Sequence, residues 1–553
     1  MKNSFLDTPK KGEKILIIVP HEDDEINLTG NIIYAYAQRG AEIFCVFTTN
    51  GDYSWRAKTR QDEAVRSLRL LGAQHVIFLG YGDTYNDYAG GHVFDAADEP
   101  ITSPAGHQET YGTREYPDYA LQKRGKHSPY CHAALAQDLQ DVILDVQADL
   151  IFCVDCDYHC DHRAASLIFE EVMGHLLRRP GNIYRPIVFK GFAYNLGYHA
   201  AADFYADNIL SAARPEDTED SLIDTSLYEW DKRVRFPVRP EGVGHFLRHN
   251  IIYQALFQHA SQSAGFHAIR VANGDTVFWQ RRTDNLAYQA EVTASSGEAE
   301  KAADFQIVAT KQIKPMRFIP SGYLWQPAAG DVEKKLVFHW HAPQTIRYLS
   351  LWGNIENEGK ITSLTITFDS GYQCVTGPLP DRGRELSIMI PEQKDVKQCT
   401  IQISGYEGTG YGLSEVGFYA APQQKGSTPI LKLQIEGQFA YHYLLPAKKE
   451  QCQLGAYSYP ISFPVQYKII KGEKSKIDEN GLLSFPQEDK EVVVRVEAEN
   501  HPEIYDEITL THVSAFYLSK QRFLQGLEKH FLNFYLKKYR KYTHIRHKYL
   551  KKI

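Results

Sequence analysis

Four compact apolar runs constrain the first third of this chain more than any other feature. KILIIV (Lys14–Val19), AEIFCVF (Ala41–Phe47), HVIFLG (His75–Gly80) and DLIFCV (Asp149–Val154) are short, continuous and flanked by polar residues, Gly or Pro. Between them lie stretches with helical spacing. Ile26–Arg39 closes at Gly40, and Arg56–Leu71, with Ala57, Val65, Leu68 and Leu71 on one face, closes at Gly72. His132–Val146 and Arg163–Leu177 read as two more helices. Strands buried on both faces with helices between them predict a Rossmann-like parallel sheet covered on both sides. Tyr81–Tyr130, rich in Gly, Asp, Tyr and Pro, predicts an irregular insertion over that sheet.

At 553 residues the chain is too long for one core, and a multidomain α/β plus all-β protein is expected. Residues 1–285 form the α/β unit. Residues 286–422 show short strand signals (LVFHWHA, TIRYLSLWG, SLTITFDSG, QCTIQISG) punctuated by Gly and Pro, which predicts a β-sandwich or jelly roll. A linker, PQQKGSTP (Pro422–Pro429), leads to a smaller immunoglobulin-like β unit over 430–513, with a turn at Asp478–Gly481. Residues 514–553 predict a basic amphipathic helix whose aromatic stripe includes Phe516, Phe523, Leu527, Phe531 and Phe534.

Charge divides the chain. The net −7 splits into +8 over Lys537–Ile553, which holds eight Lys/Arg and no acid, and −15 over the other 536 residues. An acidic body excludes a general nucleic-acid binder and leaves the tail as the one segment suited to an anionic partner such as a membrane surface. Hydrophobic residues at 43% and charged residues at 23% exclude a mostly disordered chain. Ile15–Val19 is far too short to span a membrane, and no secretory cleavage pattern follows it. Eight cysteines in this length are no disulfide framework. The expected location is cytoplasmic, with a peripheral position at the inner membrane face as the tail's alternative.

Chemistry concentrates in two clusters. His21-Glu22-Asp23-Asp24-Glu25 directly follows the first strand, and Asp157-Tyr158-His159-Cys160-Asp161-His162 follows the DLIFCV strand. In an open α/β sheet both would sit at carboxyl ends of strands, where ligands bind. Alone, the first cluster is equally a helix N-terminus decorated with acids. Together, one Asp and two His suit a zinc ion with an open fourth position, and a remaining carboxylate could act as base. Cys153, Cys156 and Cys160 offer a rival thiolate site, C-x2-C-x3-C. Asp83 in GYGDTY and Asp52 in NGD lie just beyond strands as possible sugar contacts or turn formers. His259 is a lone helical histidine to which no role is assigned.

HEDDE resembles the HPDDE signature, and HCDH the HPDH signature, of the zinc-dependent de-N-acetylases of the PIG-L or LmbE-like family. Arg60 and Glu63 in RQDE, before SLRLLG, match the family's R-x-x-E before Leu-Gly, and the resemblance covers about residues 12–285. It implies removal of an N-acetyl group from an N-acetylglucosamine-type sugar in a glycoconjugate. It implies one Zn2+ (or another divalent metal) on His21, Asp24 and His162, with Asp23 as general base. His159 is expected, protonated, to stabilise the oxyanion, and Arg60 and Asp83 to contact substrate. Glu25 and Asp161 complete the clusters as supporting carboxylates. Both signature prolines are replaced, by Glu22 and Cys160, and Glu22 is expected to add negative charge at the site mouth. Alternatives are an amidase acting on another small N-acyl substrate, or a non-catalytic carbohydrate-binding or scaffold protein. TASSG (Thr293–Gly297), Asp304, Trp325 and GLSEV resemble discoidin-like, galactose-binding-like modules, with Trp340, Trp352 and Tyr411 as expected glycan contacts.

Overall fold

The computed structural model describes residues 11–193 except 86–87 and 158; 229, 232–236, 238, 242, 244, 246 and 249–262; 271–312 except 273; 320–424 except 357; 429–528 except 440; and 530, 531 and 534. The basic tail, Lys537–Ile553, lies outside the described residues.

The apolar runs become the strands of one sheet. In chain order the elements are β1 (Lys14–Val19), α1 (Asp24–Ala37), β2 (Glu42–Thr49), α2 (Ala57–Leu71), β3 (His75–Tyr81), α3 (Tyr119–Arg124), α4 (His132–Val146), β4 (Leu150–Val154), α5 (Cys160–Arg178), β5 (Ile187–Gly191), β6 (Val234–Phe236), α6 (Ile251–Gln258) and β7 (Thr276–Arg281). The sheet order is β3-β2-β1-β4-β5-β7-β6. Alternation along β1 divides two cores. Ile15, Ile17 and Val19 pack with residues of α1, α2 and α6, whereas Leu16 and Ile18 pack with residues of α4 and α5.

The expected parallel sheet holds for β3 through β5, but β7 pairs antiparallel with β5, and β6 antiparallel with β7. An antiparallel edge needs no right-handed crossover, so it extends such a sheet without another covering helix. The chain winds from β1 outward to β3 and then returns to β4 on the other side of β1. That reversal places the topological switch point between β1 and β4.

From Glu291 to Val513 the described residues form β-sheets without an α-helix. A six-stranded antiparallel sheet comprises β8 (Glu291–Ala294), β9 (Lys335–Trp352), β10 (Gly359–Phe368), β11 (Gln373–Val375), β12 (Glu385–Gly408) and β13 (Glu415–Tyr419). Trp340 is 1% exposed, packs against Phe338 and Phe418, and donates Nε1–H to Leu286 O at 2.8 Å. It is a core residue and cannot serve as the expected glycan contact. Tyr411 is also buried, stacked at 4.1 Å on the exposed Tyr406.

Two further sheets enclose a separate core. They use β14 (Ile430–Ile435), β15 (Gln438–Phe439), β16 (His442–Pro446), β17 (Gln451–Tyr459), β18 (Val465–Lys471), β19 (Lys476–Ile477), β20 (Leu482–Ser484), β21 (Glu491–Ala498) and β22 (His501–Val513). Their orders are β15-β14-β17-β20-β19 and β16-β22-β21-β18. The expected Asp478–Gly481 turn closes with Gly481 N–H donating to Asp478 O at 3.1 Å. A C-terminal helix, α7, follows over 515–528.

Candidate metal centre

Strand adjacency brings the two clusters together. Ile18 of β1 stands opposite Cys153 of β4, so the segments that follow, 20–24 and 155–157 with 159–162, leave the sheet side by side although about 140 positions separate them. Both then enter helices, α1 with Asp23 at its N-cap and α5 with His159 at its N-cap. The partial positive ends of two helices therefore flank one cleft, which favours anionic groups there.

Three side-chain atoms meet at this point. His21 Nδ1 lies 3.0 Å from Asp24 Oδ2, Asp24 Oδ2 lies 3.2 Å from His162 Nε2, and the two imidazole nitrogens are 3.3 Å apart. The ligand atoms of a tetrahedral zinc at ~2.0–2.1 Å stand roughly 3.3–3.4 Å from one another, so this triangle is close to the face of such a site. The outer hydrogen bonds aim the lone pairs inward. His162 donates from Nδ1 to Asp157 Oδ2 at 2.6 Å, which leaves Nε2 as the acceptor nitrogen. His21 donates from Nε2 to Asp161 Oδ2 at 3.0 Å, which leaves Nδ1 as the acceptor. With both imidazoles neutral, two lone pairs and a carboxylate oxygen would face one another, an arrangement that either protons or a metal cation must relieve. Asp24 Oδ1, buried and without a hydrogen-bond partner, is a further orphan that a cation would satisfy.

Electrostatics carry the same demand. Burial opposes charge on His21 and His162, yet the surrounding carboxylates outweigh it; His21 is held above its ordinary value and His162 is pushed up to about 10. Against its own burial, Asp24 is held well below the usual carboxylate range by His162 and His21. A cage this rich in carboxylates is built for positive charge.

Asp23 sits beside the triangle. It makes no side-chain capping bond to α1, so the helix-cap explanation of this acid fails. Its backbone is strained, with φ at 144°, and is held there by Asp23 N–H donating to Glu25 Oε2 at 2.8 Å. Glu25 Oε1 in turn accepts from His259 Nε2 at 2.9 Å. His259, which lies in ALFQHASQ, a stretch resembling a C-terminal segment of some family members, and to which no role was assigned, thus braces Asp23 through Glu25. Arg60 reaches Asp23 Oδ1 at 3.4 Å and donates to Glu22 O at 2.5 Å. Burial pushes Asp23 up to about 7, against the pull of Arg60. Gly51 (φ +57°) lies against the Glu22 carboxyl, with which a Cβ would collide, and the Arg60 guanidinium, against which it would be tight. Glu22 corrects an expectation: its side chain is fully buried, not at the mouth, and burial pushes it up to about 8, which favours the neutral form over added negative charge.

On the far side of His21, Asp83 Oδ1 lies 3.2 Å from Nε2, nearer the cluster than a peripheral sugar contact. Asp83 N–H donates to Asp52 Oδ1 at 2.8 Å, so Asp52 serves as a structural acceptor. Asp161 is gripped by His21, by Thr84 N–H at 3.0 Å, and by His92 Nε2 at 2.6 Å. His92 comes from the irregular insertion and was not foreseen. His159 lies edge-on to His21, ring centroids 4.6 Å apart, and accepts from Asp161 N–H at 3.2 Å. Burial and the charge of His21 push His159 down to about 4, so the structure holds it neutral rather than protonated as expected. Tyr85 packs edge-on against His159 at 5.5 Å and meets Tyr53 at 5.7 Å, and both tyrosines are exposed.

The thiolate alternative does not assemble. All eight cysteines are free, and Cys153, Cys156 and Cys160 belong to the apolar core under α4 and α5. Besides the His21, Asp24 and His162 triangle, overlapping sets among the described residues also bring ligand atoms within reach of one ion: His21, His159 and His162; His21, Asp83, His159 and Asp161; and His92, Cys160 and Asp161. Cys160 Sγ donates to Thr84 O at 3.0 Å, which marks it as a thiol.

A family model described as GlcNAc-PI de-N-acetylase, PIG-L, matches residues 16–173, and one described as a domain of unknown function (DUF7402) matches residues 285–419. No curated protein matches the chain. Among solved structures, an inhibitor complex of the N,N'-diacetylchitobiose deacetylase from Pyrococcus horikoshii is 21% identical, with a TM-score of 0.22, over 34% of this chain and 62% of its own. This chain therefore spans less than two thirds of that deacetylase. The 4-carboxy-2-hydroxymuconate hydratase of Pseudomonas putida is 14% identical over 46% of this chain and 82% of its own (TM-score 0.26). A family 32 carbohydrate-binding module of C. perfringens NanJ, in complex with galactose, is 14% identical over 24% of this chain and 94% of its own (TM-score 0.19). The N-terminal unit thus has a PIG-L-like fold, and its buried His/Asp cluster, which resembles that of PIG-L deacetylases, is capable of coordinating a divalent metal.

Proposed function

We propose that residues 1–285 form a zinc-dependent hydrolase that removes the N-acetyl group from an amino sugar in a glycoconjugate. The observation that carries this is the convergence of His21 Nδ1, Asp24 Oδ2 and His162 Nε2 within 3.3 Å of one another, with Asp23 left outside the triangle. A bound zinc ion supplies Lewis acidity and a water of lowered pKa. The chain's own residues do the rest. Asp23 accepts the proton of the attacking water and returns it to the departing amine, and Arg60 holds the carboxylate in place. His159 donates an N–H toward the oxyanion that develops on the acyl carbonyl. Tyr85 and Tyr53 face one side of the sugar, where aromatic rings shield apolar ring faces from water.

For the remaining chain, the proposed division is a discoidin-like, galactose-binding-like jelly roll over 286–422 and an immunoglobulin-like unit over 430–513. In the former, the exposed Tyr406 on Tyr411 is the described aromatic pair suited to a sugar ring. Free thiols at all eight cysteines favour a reducing compartment, the cytoplasm. The decisive assay is acetate release from a panel of N-acetylhexosamine conjugates by zinc-loaded protein. Wild type should release acetate, and Asp23→Asn should keep its zinc but lose at least a hundredfold in turnover. Zinc-loaded wild type that deacetylates none of the panel would refute the substrate class. Normal turnover in Asp23→Asn would refute the role given to Asp23.

A further inference from the structure

The C-terminal helix α7 exposes its large apolar side chains. Ser514 starts α7, its hydroxyl accepting from Tyr517 N–H at 3.1 Å. Helices of soluble proteins turn their apolar stripe inward. Here the stripe faces outward: Phe516 is 79% exposed, Phe523 65%, Phe531 66% and Leu527 40%. At about 100° per residue, positions 516, 523 and 527 fall within roughly 40° of one another, and 531 adjoins them. Among the described residues, no other stretch this short exposes so many large apolar side chains.

Charge narrows what can cover the stripe. Residues 515–553 hold eleven Lys/Arg and one acid, Glu528, against a net −17 for the rest of the chain. α7 itself carries only Lys520, Arg522 and Glu528, so it is the tail after it, Lys537–Ile553 with eight Lys/Arg, whose repulsion opposes bringing two copies together through this face. A nucleic acid would meet the charge but would gain little from Leu524 and Leu527. An anionic bilayer surface meets both demands. Its headgroups pair with the basic residues, and its acyl boundary takes up an apolar stripe lying in the plane of the interface. Tyrosines at 517, 535, 539, 542 and 549 suit the same boundary, polar at one end and apolar at the other. Among the described residues no helix is long and apolar enough to cross a membrane, so α7 would lie on the bilayer rather than span it.

We propose that α7 and the basic tail dock this protein on an anionic membrane surface, with Phe516, Phe523, Leu527 and Phe531 seated at the headgroup–acyl boundary and the lysines and arginines on the lipid phosphates. This surface is separate from the hydrolytic site, so its test needs no turnover.

The test uses full-length protein sedimented with vesicles of phosphatidylcholine alone, or with roughly 30 mol% phosphatidylglycerol, a charge density that attracts polybasic segments. Wild type should co-sediment with the anionic vesicles only, and raising salt to about 0.5 M should release it. The combined change Phe516→Ser, Phe523→Ser and Phe531→Ser alters only exposed side chains and should weaken binding at least tenfold, with unchanged far-UV circular dichroism. Replacing the eight tail Lys/Arg with Gln should weaken it to a similar degree. Wild type remaining in the supernatant would overturn the proposal, as would full binding by the triple Ser variant. A dimer that the triple variant abolishes, without vesicle binding by either protein, would assign the stripe to a second copy. Tighter binding to a duplex oligonucleotide than to anionic vesicles would assign the charge to nucleic acid.

Discussion

Asp157 touches none of the three converging atoms, yet replacing it should weaken metal binding in a calculable way. Its Oδ2 accepts from His162 Nδ1 at 2.6 Å, and its Oδ1 accepts from His159 N–H at 2.8 Å; both partners are buried. Asp157→Asn keeps the shape and can keep the second bond through its amide oxygen. It cannot keep the first, because an NH2 group facing Nδ1–H is donor against donor. His162 relieves that clash by moving its proton to Nε2, which removes the lone pair aimed at His21 and Asp24. A short buried hydrogen bond to a charged group is worth about 1.5–3 kcal/mol. Loss of such an outer partner typically weakens metal affinity by about 10–100-fold, or about 1.4–2.7 kcal/mol, so the two routes agree. Competition against a chromophoric zinc chelator at pH 7 measures this directly. Asp157→Asn should bind zinc about 10–100-fold more weakly with an unchanged fold, while Asp23→Asn should bind it like wild type. Affinity within twofold of wild type in Asp157→Asn would refute the tautomer argument.

Other outcomes follow from the same structure. Lys190 is buried between Glu170 Oε1 at 2.5 Å and Asp155 Oδ1 at 3.1 Å, with only Arg281 left to Glu170 if it is removed. Lys190→Met should therefore cost about 3–5 kcal/mol in chemical denaturation, and a loss below 1 kcal/mol would contradict the pairing. Gly51→Ala forces a left-handed backbone, a clash with Glu22 and a tight contact with Arg60. It should cost about 1–2 kcal/mol and lower kcat more than it raises KM. His132 and Glu171 pair at 2.8 Å across α4 and α5; against burial, the pair raises His132 above 6.5 and lowers Glu171 below 4.5. The His132 contribution is complete below pH 6.5 and fades as pH rises through its raised value, whereas that of Glu171 is complete above 4.5 and fades as pH falls. His132→Asn should thus lose about 0.5–1 kcal/mol near pH 5.5 and almost nothing at pH 9, as read by unfolding at the two pH values.

What was legible in the sequence follows from where the physics is local. KILIIV and DLIFCV declared themselves because a strand buried on both faces must be apolar throughout. The clusters that follow them could be placed at strand ends for the same reason. His92 was invisible because its segment has no periodicity, and its partner Asp161 lies 69 positions away. His259 looked like any helical histidine; only the packing of α6 against α1 and α2 delivers it to Glu25. The β-units show a different failure. LVFHWHA and TIRYLSLWG read as two strands, but both lie in the single β9, with Pro343 between them. QCTIQISG similarly proved to be one end of the 24-residue β12. Proline cannot donate to a ladder and looks like a break in sequence; here Pro391 falls within a register shift of the β12–β9 pairing.

The most direct test of the central claim is a crystal grown with zinc, with diffraction collected on both sides of the zinc absorption edge. One strong anomalous peak is expected at ~2.0–2.2 Å from His21 Nδ1, Asp24 Oδ2 and His162 Nε2, with Asp23 near but not bonded. A peak elsewhere, or none at full zinc loading, would contradict that claim.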